Sequence, residues 1–222
     1  MSDINELISI IVPVFNESES IGFLIDEVIS VMESNNFNFE LIVVNDGSKD
    51  DTHRVLQELT LKIKKLSVIC LRKNYGQTAA MAAGFDNSKG DIVITLDGDL
   101  QNDPNDIPKL ISEINNGYDL ICGWRFNRKD KLINRKIPSK IANKLIAQVT
   151  GLKLHDYGCS LKAFKKEIID DIKLYGELHR FLPVLANIEG ARIKEIKVNH
   201  RIRKYGFSKY GIDRTFRVLM DL

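Results

Sequence analysis

Residues 91–101 read Asp-Ile-Val-Ile-Thr-Leu-Asp-Gly-Asp-Leu-Gln. The apolar run 91–96 is typical of a buried strand, so Asp97 and Asp99 are expected at its carboxyl end, where open α/β sheets bind ligands. Two carboxylates there suit Mg²⁺ or Mn²⁺, and Mg²⁺ often completes its shell with water and substrate phosphates. Surface turns also contain Asp-Gly-Asp, so the surrounding sequence must decide between a metal site and a turn.

The first 123 residues alternate strand-like and helical patterns. Strands are predicted at 8–14, 40–45, 66–71, 91–96 and 119–122, and helices at 18–34, 50–64, 77–88 and 105–116. This alternation predicts an α/β fold with a mostly parallel sheet flanked by helices. A Rossmann Gly-x-Gly-x-x-Gly is absent after the first strand, and so is a P-loop motif, which argues against both of those nucleotide-binding classes.

The regular alternation ends after Gly123. A basic, turn-rich segment is predicted at 124–136, helices at 137–149, 165–172 and 179–190, a strand at 192–198, and an amphipathic helix at 211–222. No linker interrupts the sequence, so we expect one domain with a basic carboxyl-terminal extension.

Charge is divided unevenly along the chain. The 222 residues carry a net charge of +2, yet residues 1–120 hold 9 Lys and Arg against 20 Asp and Glu, and residues 121–222 hold 23 against 10. The basic half is expected to face phosphates, acidic lipid headgroups or nucleic acid, with a solvated basic face as the alternative.

The three cysteines, Cys70, Cys122 and Cys159, lack metal-ligand spacing and lie in or beside apolar runs. They are expected to be buried thiols in a reducing compartment. We find no signal peptide pattern and no run of 18 apolar residues, which predicts a soluble or peripheral protein.

Three motifs follow predicted strands in order: Pro13-Val14-Phe15-Asn16-Glu17, Val44-Asn45-Asp46-Gly47-Ser48 and Leu96-Asp97-Gly98-Asp99-Leu100-Gln101. Together they resemble the nucleotide-sugar-binding half of a GT-A fold, family 2 glycosyltransferase. A narrower resemblance is to the polyprenyl-phosphate branch, which includes dolichol-phosphate mannose synthases and bactoprenol glucosyltransferases. It rests on Gly123-Trp124-Arg125, Asp156-Tyr157-Gly158-Cys159-Ser160 and His200-x-x-Arg203-x-x-Gly206-x-Ser208-Lys209-Tyr210.

The resemblance implies a GT-A domain at 1–210, with a nucleotide-sugar half at 1–123 and an acceptor half at 124–210, followed by a juxtamembrane helix at 211–222. The residues it implies for donor binding are Pro13, Phe15, Asn16, Glu17, Asp46, Asp97 and Gly98. Asp46 can accept hydrogen bonds from a nucleobase or ribose, while Asp46 and Ser48 also suit a cap for helix 50–64. Asn45 stands where family members often have a second aspartate, and this departure bears on base preference.

Asp99 is the first expected metal ligand, and Asp97 is a second ligand or a ribose partner. The resemblance adds Gln101 as a third oxygen contact. Mg²⁺ or Mn²⁺ would neutralise charge on the leaving nucleoside diphosphate. Arg125, predicted just after the fifth strand, could bind the same phosphates with its guanidinium fork; an ordinary solvated arginine is the alternative.

The expected acceptor side is basic, with Arg128, Lys129, Lys131, Arg135, Lys136, Lys140 and Lys144. Arg135 and Lys136 are its predicted phosphate contacts. A lipid phosphate is already anionic near neutral pH, with a second pKa of about 6, and needs no strong general base. A sugar hydroxyl would need one, and Asp156 is then the candidate base, with structural hydrogen bonding as the alternative.

Arg203, Ser208 and Lys209 are expected to close over the diphosphate and exclude water, unless this segment is a solvated tail. The four histidines, at 53, 155, 179 and 200, are given no role in proton transfer.

The prediction is therefore a metal-dependent glycosyltransferase that moves a hexose from a nucleoside diphosphate sugar to a polyprenyl phosphate, with inversion. UDP-glucose is favoured over GDP-mannose by resemblance alone. We expect it at the cytoplasmic membrane face, peripheral or anchored if the native chain continues past Leu222. We expect no nucleic-acid partner. The sequence does not decide the oligomeric state, and a homo-oligomer is one option. The alternatives are transfer to a saccharide hydroxyl and a noncatalytic nucleotide-sugar sensor.

Overall fold

A seven-stranded mixed sheet is the centre of the fold. The structure is a computed structural model that describes residues 6–126, 150–176 and 178–205. The strands are β1 Leu7–Val14, β2 Asn38–Asn45, β3 Leu66–Cys70, β4 Ile92–Thr95, β5 Leu120–Arg125, β6 Lys162–Lys165 and β7 Ile193–Val198. Their spatial order is β3-β2-β1-β4-β6-β5-β7.

Helices cover both faces of this sheet. They are α1 Ile21–Ser34, α2 Thr52–Thr60, α3 Gln77–Asp86, α4 Ile107–Asn115, α5 Lys166–Asp171 and α6 Leu182–Ile188, with short 3-10 turns at Pro104–Asp106 and Leu178–Arg180. One core cluster joins β1 to α1, α2 and α4, and a second lies on the opposite face beside α3, α5 and α6. The α/β prediction is confirmed, and each element predicted within the described residues is present with its ends shifted by a few residues.

The connections between β1 and β4 create a crevice at one edge of the sheet. The chain moves outward from β1 to β2 and β3, and then returns to the other side of β1 as β4. Both β2 and β4 are parallel to β1. In open α/β sheets, ligands bind at the carboxyl ends of strands where the order reverses in this way. The loops that follow Val14 and Thr95 therefore meet at the expected binding edge.

The strand β6 was not predicted from the sequence. It pairs antiparallel with both β4 and β5. Its four residues are too few for a clear alternating pattern, and α5 begins at the next residue. Lys162, which has a charged side chain, is nonetheless buried, because its Nζ donates to the carbonyl oxygens of Tyr157 and Cys159.

Two expectations about individual residues are corrected. Cys70 is exposed, whereas Cys122 and Cys159 are buried as expected. Cys70 ends the edge strand β3, and an apolar sequence pattern alone does not reveal which strand lies at an edge. Arg125 is the last residue of β5 and pairs in register with Val198, so it does not follow the strand but belongs to it.

Several predicted segments lie outside the described residues. These are the helix at 137–149, most of the basic segment 124–136, and the basic extension with its juxtamembrane helix at 211–222. Within the described ranges, no helix is both long enough and apolar enough to cross a membrane.

We expect the packing of α1 against β1 to contribute strongly to the stability of the core cluster that α1, α2 and α4 share. Leu24 is fully buried in α1, whereas Leu61 at the end of α2 is 88% exposed. Leu24→Ala should lower the free energy of unfolding by about 2–5 kcal/mol, because the substitution leaves a cavity. Leu61→Ala makes the same chemical change at the surface and should stay within about 0.5 kcal/mol. Urea denaturation measures both, and equal losses would contradict the packing described here.

Candidate functional site

Three carboxylates gather at the carboxyl ends of β1 and β4. Glu17 and Asp99 are both largely buried, and Asp97 lies beside them. Burial, with smaller contributions from the negative charges of Asp97 and Glu17, raises the pKa of Asp99 to about 6, against the opposing effects of Arg203 and the Gln101 N–H. This edge of the sheet therefore concentrates negative charge where water is scarce, which favours the binding of a cation.

Arg203 supplies a cation to this cluster. Its Nη2 lies 2.6 Å from Oδ2 of Asp99, and its Nη1 lies 3.5 Å from Oε1 of Glu17. The backbone N–H of Gln101 donates to the other oxygen of Asp99 at 3.1 Å. Both oxygens of the Asp99 carboxylate therefore have a donor.

Arg203 is carried by a segment that we call the strap, residues 199–205. The strap follows β7 and crosses the loop after β4, where Asn102 and His200 form a β-bridge and the Arg201 N–H donates to the carbonyl of Gln101. The guanidinium of Arg201 joins Glu27 at 2.6 Å and Asp103 at 2.7 Å. These contacts bring Arg203 to Asp99 across 104 residues of sequence.

The loop after β4 is held in a strained conformation. Leu100, between Asp99 and Gln101, has φ of +63°, a left-handed value that is uncommon for a residue with a branched side chain. Gly98 fits because a Cβ atom there would lie 2.6 Å from the Val14 side chain. The preceding Asp97 N–H donates to Oδ1 of Asn102 at 3.0 Å. The loop thus presents its carboxylates in one fixed arrangement.

Asp97 is also oriented by Gln77, the first residue of α3. The Nε2 of Gln77 donates to Oδ1 of Asp97 at 2.8 Å. Sequence reasoning missed Gln77 because it comes from a different loop and belongs to no motif. It also missed Asn102, although that residue directly follows the quoted motif.

The loops after β1 and β2 are joined by hydrogen bonds. The Asn16 N–H donates to Oγ of Ser48 at 2.9 Å, and Oδ1 of Asn16 accepts from the Lys49 N–H at 2.7 Å. Glu17 adds a bond from its N–H to Oγ1 of Thr52 at 2.9 Å. These hydrogen bonds join the two loops, and α1 and α2 begin a few residues later than predicted, at Ile21 and Thr52.

Asp46 fixes the loop in front of α3. Its two carboxylate oxygens accept from the N–H groups of Tyr75 at 2.7 Å and Gly76 at 2.9 Å. Burial raises the pKa of Asp46, and these two hydrogen bonds oppose the rise. The alternative that Asp46 and Ser48 cap α2 is wrong: Asp46 bonds ahead of α3, Ser48 bonds Asn16, and Oδ1 of Asp50 accepts from Thr52 at the start of α2.

Arg125 and Asp156 are paired with each other. Nε of Arg125 lies 2.7 Å from Oδ2 of Asp156, and Nη2 lies 2.9 Å from Oδ1, so the contact is a two-bond fork. Although burial opposes the charge, hydrogen bonding to Asp156 raises the pKa of Arg125, and the negative charge of Asp97 also contributes. The predicted phosphate contact and the predicted base therefore form one buried ion pair near the carboxylate cluster.

The remaining predicted residues are distributed as follows. Pro13 belongs to β1 and pairs with Val44, and Phe15 follows the strand partly buried. Gln101 lies beside Asp99, with its Nε2 3.4 Å from the carbonyl of Arg201. Arg135, Lys136, Ser208 and Lys209, and with them most of the predicted acceptor contacts, lie outside the described residues.

The three histidines near the site have structural contacts. Oγ1 of Thr78 lies 2.7 Å from Nδ1 of His179, and Nδ1 of His155 lies 2.7 Å from Oε2 of Glu195. His200 belongs to the bridge between the strap and Asn102.

The oxygen donors of the cluster match part of the shell that Mg²⁺ or Mn²⁺ requires. In the described part of the chain, no group of three or more His, Cys, Asp and Glu side chains is arranged to hold a metal ion. Asp97 and Asp99, with the amide oxygen of Gln101, offer the one or two carboxylates that Mg²⁺ combines with water and phosphate oxygens. The contact of Asp99 with the Arg203 guanidinium indicates that this carboxylate accepts a cation. The residues fit an ion that shares its shell with a bound diphosphate.

The chain belongs to glycosyl transferase family 2. The family profile matches residues 9–173, which include the loops after β1, β2 and β4. The chain is 50% identical over 219 residues to a dodecaprenyl-phosphate galacturonate synthase of Rhizobium johnstonii, covering 97% of this chain and 65% of that protein. It is 39% identical to an undecaprenyl-phosphate 4-deoxy-4-formamido-L-arabinose transferase of Aeromonas hydrophila, covering 98% of this chain and 67% of the relative. The chain therefore spans about two thirds of these relatives.

A solved structure confirms the fold. Glucosyl-3-phosphoglycerate synthase from Mycobacterium tuberculosis, in complex with Mn²⁺ and UDP-glucose, superposes with a TM-score of 0.72 at 19% identity, covering 97% of this chain and 77% of that one. Together with the family match, this likeness confirms the GT-A type of α/β fold that the sequence motifs predicted.

The raised pKa of Asp99 predicts a pH-dependent cost to stability in metal-free protein. Between about pH 4 and 6 the folded protein keeps a proton that the unfolded chain has lost, so the free energy of unfolding falls as pH rises. The full cost is on the order of 3 kcal/mol, at about 1.4 kcal/mol for each pH unit. Asp99→Asn removes this cost, so its stability relative to wild type should increase from pH 4 to 7.

Urea denaturation with EDTA at each pH measures the difference. Asp86→Asn, an exposed change at the end of α3, is the matched control and should follow the wild-type profile. Parallel profiles for wild type and Asp99→Asn would contradict the assignment of the raised pKa to Asp99.

Proposed function

We propose that this chain is the catalytic domain of a metal-dependent glycosyltransferase that moves a sugar from a nucleoside diphosphate to a polyprenyl phosphate. The observation that carries the proposal is the buried carboxylate cluster at the β1–β4 crevice, closed by Arg203. The cluster offers carboxylates that can bind a metal ion, and beside them the guanidinium of Arg203, a group that can bind a diphosphate through two hydrogen bonds. The names of the two relatives support the acceptor, since both act with a polyprenyl phosphate.

The donor would lie across the loops after β1, β2 and β4. Pro13, Phe15, Asn16 and Glu17 would form one wall, and Gly98 lets the backbone after β4 approach Val14 closely. Asp46 would position the Tyr75–Gly76 backbone at the floor of the pocket, since both its oxygens already accept from that loop. Its influence on the nucleobase is therefore partly indirect.

Asp97 and Asp99 would hold Mg²⁺ or Mn²⁺, with Gln101 nearby. The ion would supply positive charge next to the diphosphate as the bond to the sugar breaks. Gln77 donates to the carboxylate of Asp97, and the Gln101 N–H donates to that of Asp99, so both carboxylates are held in place. Such preorganisation lowers the barrier because no side chain has to reorient during the reaction.

The Arg125–Asp156 pair supports a phosphate acceptor. A carboxylate held by both arms of a guanidinium is a weak base, because the nearby positive charge favours its ionised form. An acceptor phosphate needs no strong base, as it is ionised near neutral pH. Asp156 would then orient Arg125 toward the phosphates. Asp156 would act as a base only in the alternative in which the acceptor is a saccharide hydroxyl.

The basic residues outside the described ranges complete the proposal. Arg135 and Lys136 would contact the acceptor phosphate, and Ser208 and Lys209 would close over the donor from the end of the strap. A polyprenyl acceptor also implies work at a membrane surface, on the cytoplasmic side where nucleotide sugars are made available. The basic second half of the chain would favour an anionic surface.

The sugar is proposed more broadly than the sequence suggested. The relatives are named for galacturonate and for 4-deoxy-4-formamido-L-arabinose, whereas UDP-glucose and GDP-mannose were expected. We therefore extend the donor to UDP-linked hexoses, uronates and aminopentoses.

Transfer of radiolabel is the direct test. With Mn²⁺ or Mg²⁺, undecaprenyl phosphate and a panel of UDP-glucose, UDP-galacturonate and GDP-mannose, label from one donor should enter organic-extractable material. Asp99→Asn should lower this transfer about a hundredfold or more, since it removes a charged group next to the leaving diphosphate. Asp86→Asn should leave it unchanged. Label released only as free sugar, or no label with any donor despite donor binding, would contradict the proposal.

Asp156→Asn separates the two acceptor classes. With a phosphate acceptor, we expect transfer to fall by no more than about tenfold, and kcat/KM in both proteins to decline below about pH 6 as the acceptor phosphate is protonated. Loss of a general base would cost about 100-fold to 10,000-fold instead and would leave donor binding intact. The pH profile of transfer by each protein measures this, and the larger loss would favour a hydroxyl acceptor.

A further inference from the structure

We propose that Arg203 is an internal counter-cation that holds the metal-binding carboxylate Asp99 until a divalent ion replaces it, and that it then moves to the donor diphosphate. The proposal rests on the function proposed above. It assigns a second role to a side chain whose only expected role was to contact phosphate.

The first observation is that a metal and Arg203 would need the same atom. Nη2 of Arg203 lies 2.6 Å from Oδ2 of Asp99, while the Gln101 N–H donates to Oδ1. An ion bound through Oδ2 of Asp99 would compete with the guanidinium for this oxygen. Two positive charges cannot share that position in a site with little water, so one must leave.

The second observation is the balance of charge. Glu17, Asp97 and Asp99 bring three negative charges to the cluster, and Arg203 offsets one of them. Arg125, whose pKa is also influenced by the charge of Asp97, is committed to Asp156. Without Arg203 the free protein would bury like charges against one another, which costs free energy. Arg203 therefore stabilises the site before any metal arrives.

The third observation is that the strap is anchored independently of Arg203. Arg201 joins Glu27 and Asp103, and the Asn199 N–H donates to the fully buried Asp106 at 2.6 Å. Breaking the Arg203–Asp99 contact leaves these bonds in place. The exchange thus requires rotation of one long side chain, and the diphosphate that shares the ion would lie within reach of the same guanidinium.

The consequence is coupling between metal and donor. Metal alone must displace Arg203 without compensation, so it binds weakly. Metal with a diphosphate offers Arg203 a new anionic partner, so it binds tightly. The metal ion and the diphosphate therefore each raise the affinity of the protein for the other, which is thermodynamic coupling.

Titration of the protein with Mn²⁺ tests this without any transfer reaction. Mn²⁺ electron paramagnetic resonance or calorimetry is performed on wild type, Arg203→Gln and Arg192→Gln. Arg192→Gln is the matched control, because Arg192 also pairs with a carboxylate, Asp119, at the opposite end of β5. We expect Arg203→Gln to bind Mn²⁺ about tenfold or more tightly than wild type, and Arg192→Gln to be unchanged.

A second titration uses the Mn²⁺–UDP complex. Arg203→Gln has lost the proposed phosphate contact, so its advantage over wild type should shrink or reverse. The counter-cation role would be overturned if Arg203→Gln bound Mn²⁺ alone no more tightly than wild type, or if Arg192→Gln gained the same affinity. An advantage of the same size with Mn²⁺–UDP would overturn the move to the diphosphate. Thermal unfolding with and without Mn²⁺ checks that each variant is folded, and Mn²⁺ should stabilise Arg203→Gln more than wild type.

These results are independent of the proposed transfer reaction. A protein that shows the expected exchange but transfers no sugar would keep this inference and contradict the proposed function. A protein that transfers sugar while Arg203→Gln leaves Mn²⁺ affinity unchanged would do the reverse.

Discussion

Burying like charges is the constraint on which the rest of this structure depends. Glu17, Asp97 and Asp99 lie together at the carboxyl ends of two neighbouring parallel strands, and burial makes the ionised form of Asp99 costly. Proteins tolerate such a cluster only when a cation balances it. In the free protein that cation is Arg203, which lies 104 residues after Asp99 in the sequence and is carried to it by the strap.

The scaffold explains how distant motifs meet. The order β3-β2-β1-β4 brings the ends of β1, β2 and β4 side by side. Hydrogen bonds from the Asn16 N–H to Ser48 and from the Glu17 N–H to Thr52 join the loops after β1 and β2. The antiparallel β6 then separates β4 from β5, so Arg125 approaches the same edge from farther along the sheet and is fixed there by Asp156.

The sequence was sufficient for the α/β class and for the loops at the strand ends, because local apolar periodicity and strand-end motifs encode both. It was insufficient for contacts that depend on tertiary approach. β6 has four residues and no clear pattern, Cys70 lies at a sheet edge that only the strand order reveals, and Gln77 reaches Asp97 from another loop. The pairing of Arg125 with Asp156 was equally hidden, since each residue had been assigned a separate ligand. Long-range partners of this kind carry no signal in sequence spacing.

The position of Mn²⁺ in crystals grown with Mn²⁺ and UDP tests most directly whether the carboxylate cluster binds the metal and the donor. Anomalous scattering locates Mn²⁺ without assumptions about its ligands. We predict one strong peak in contact with the carboxylate of Asp99, phosphate oxygens of UDP on its other side, and Arg203 turned from Asp99 to the diphosphate. A peak elsewhere, with Arg203 still bound to Asp99, would contradict the assignment of this edge as the metal and donor site.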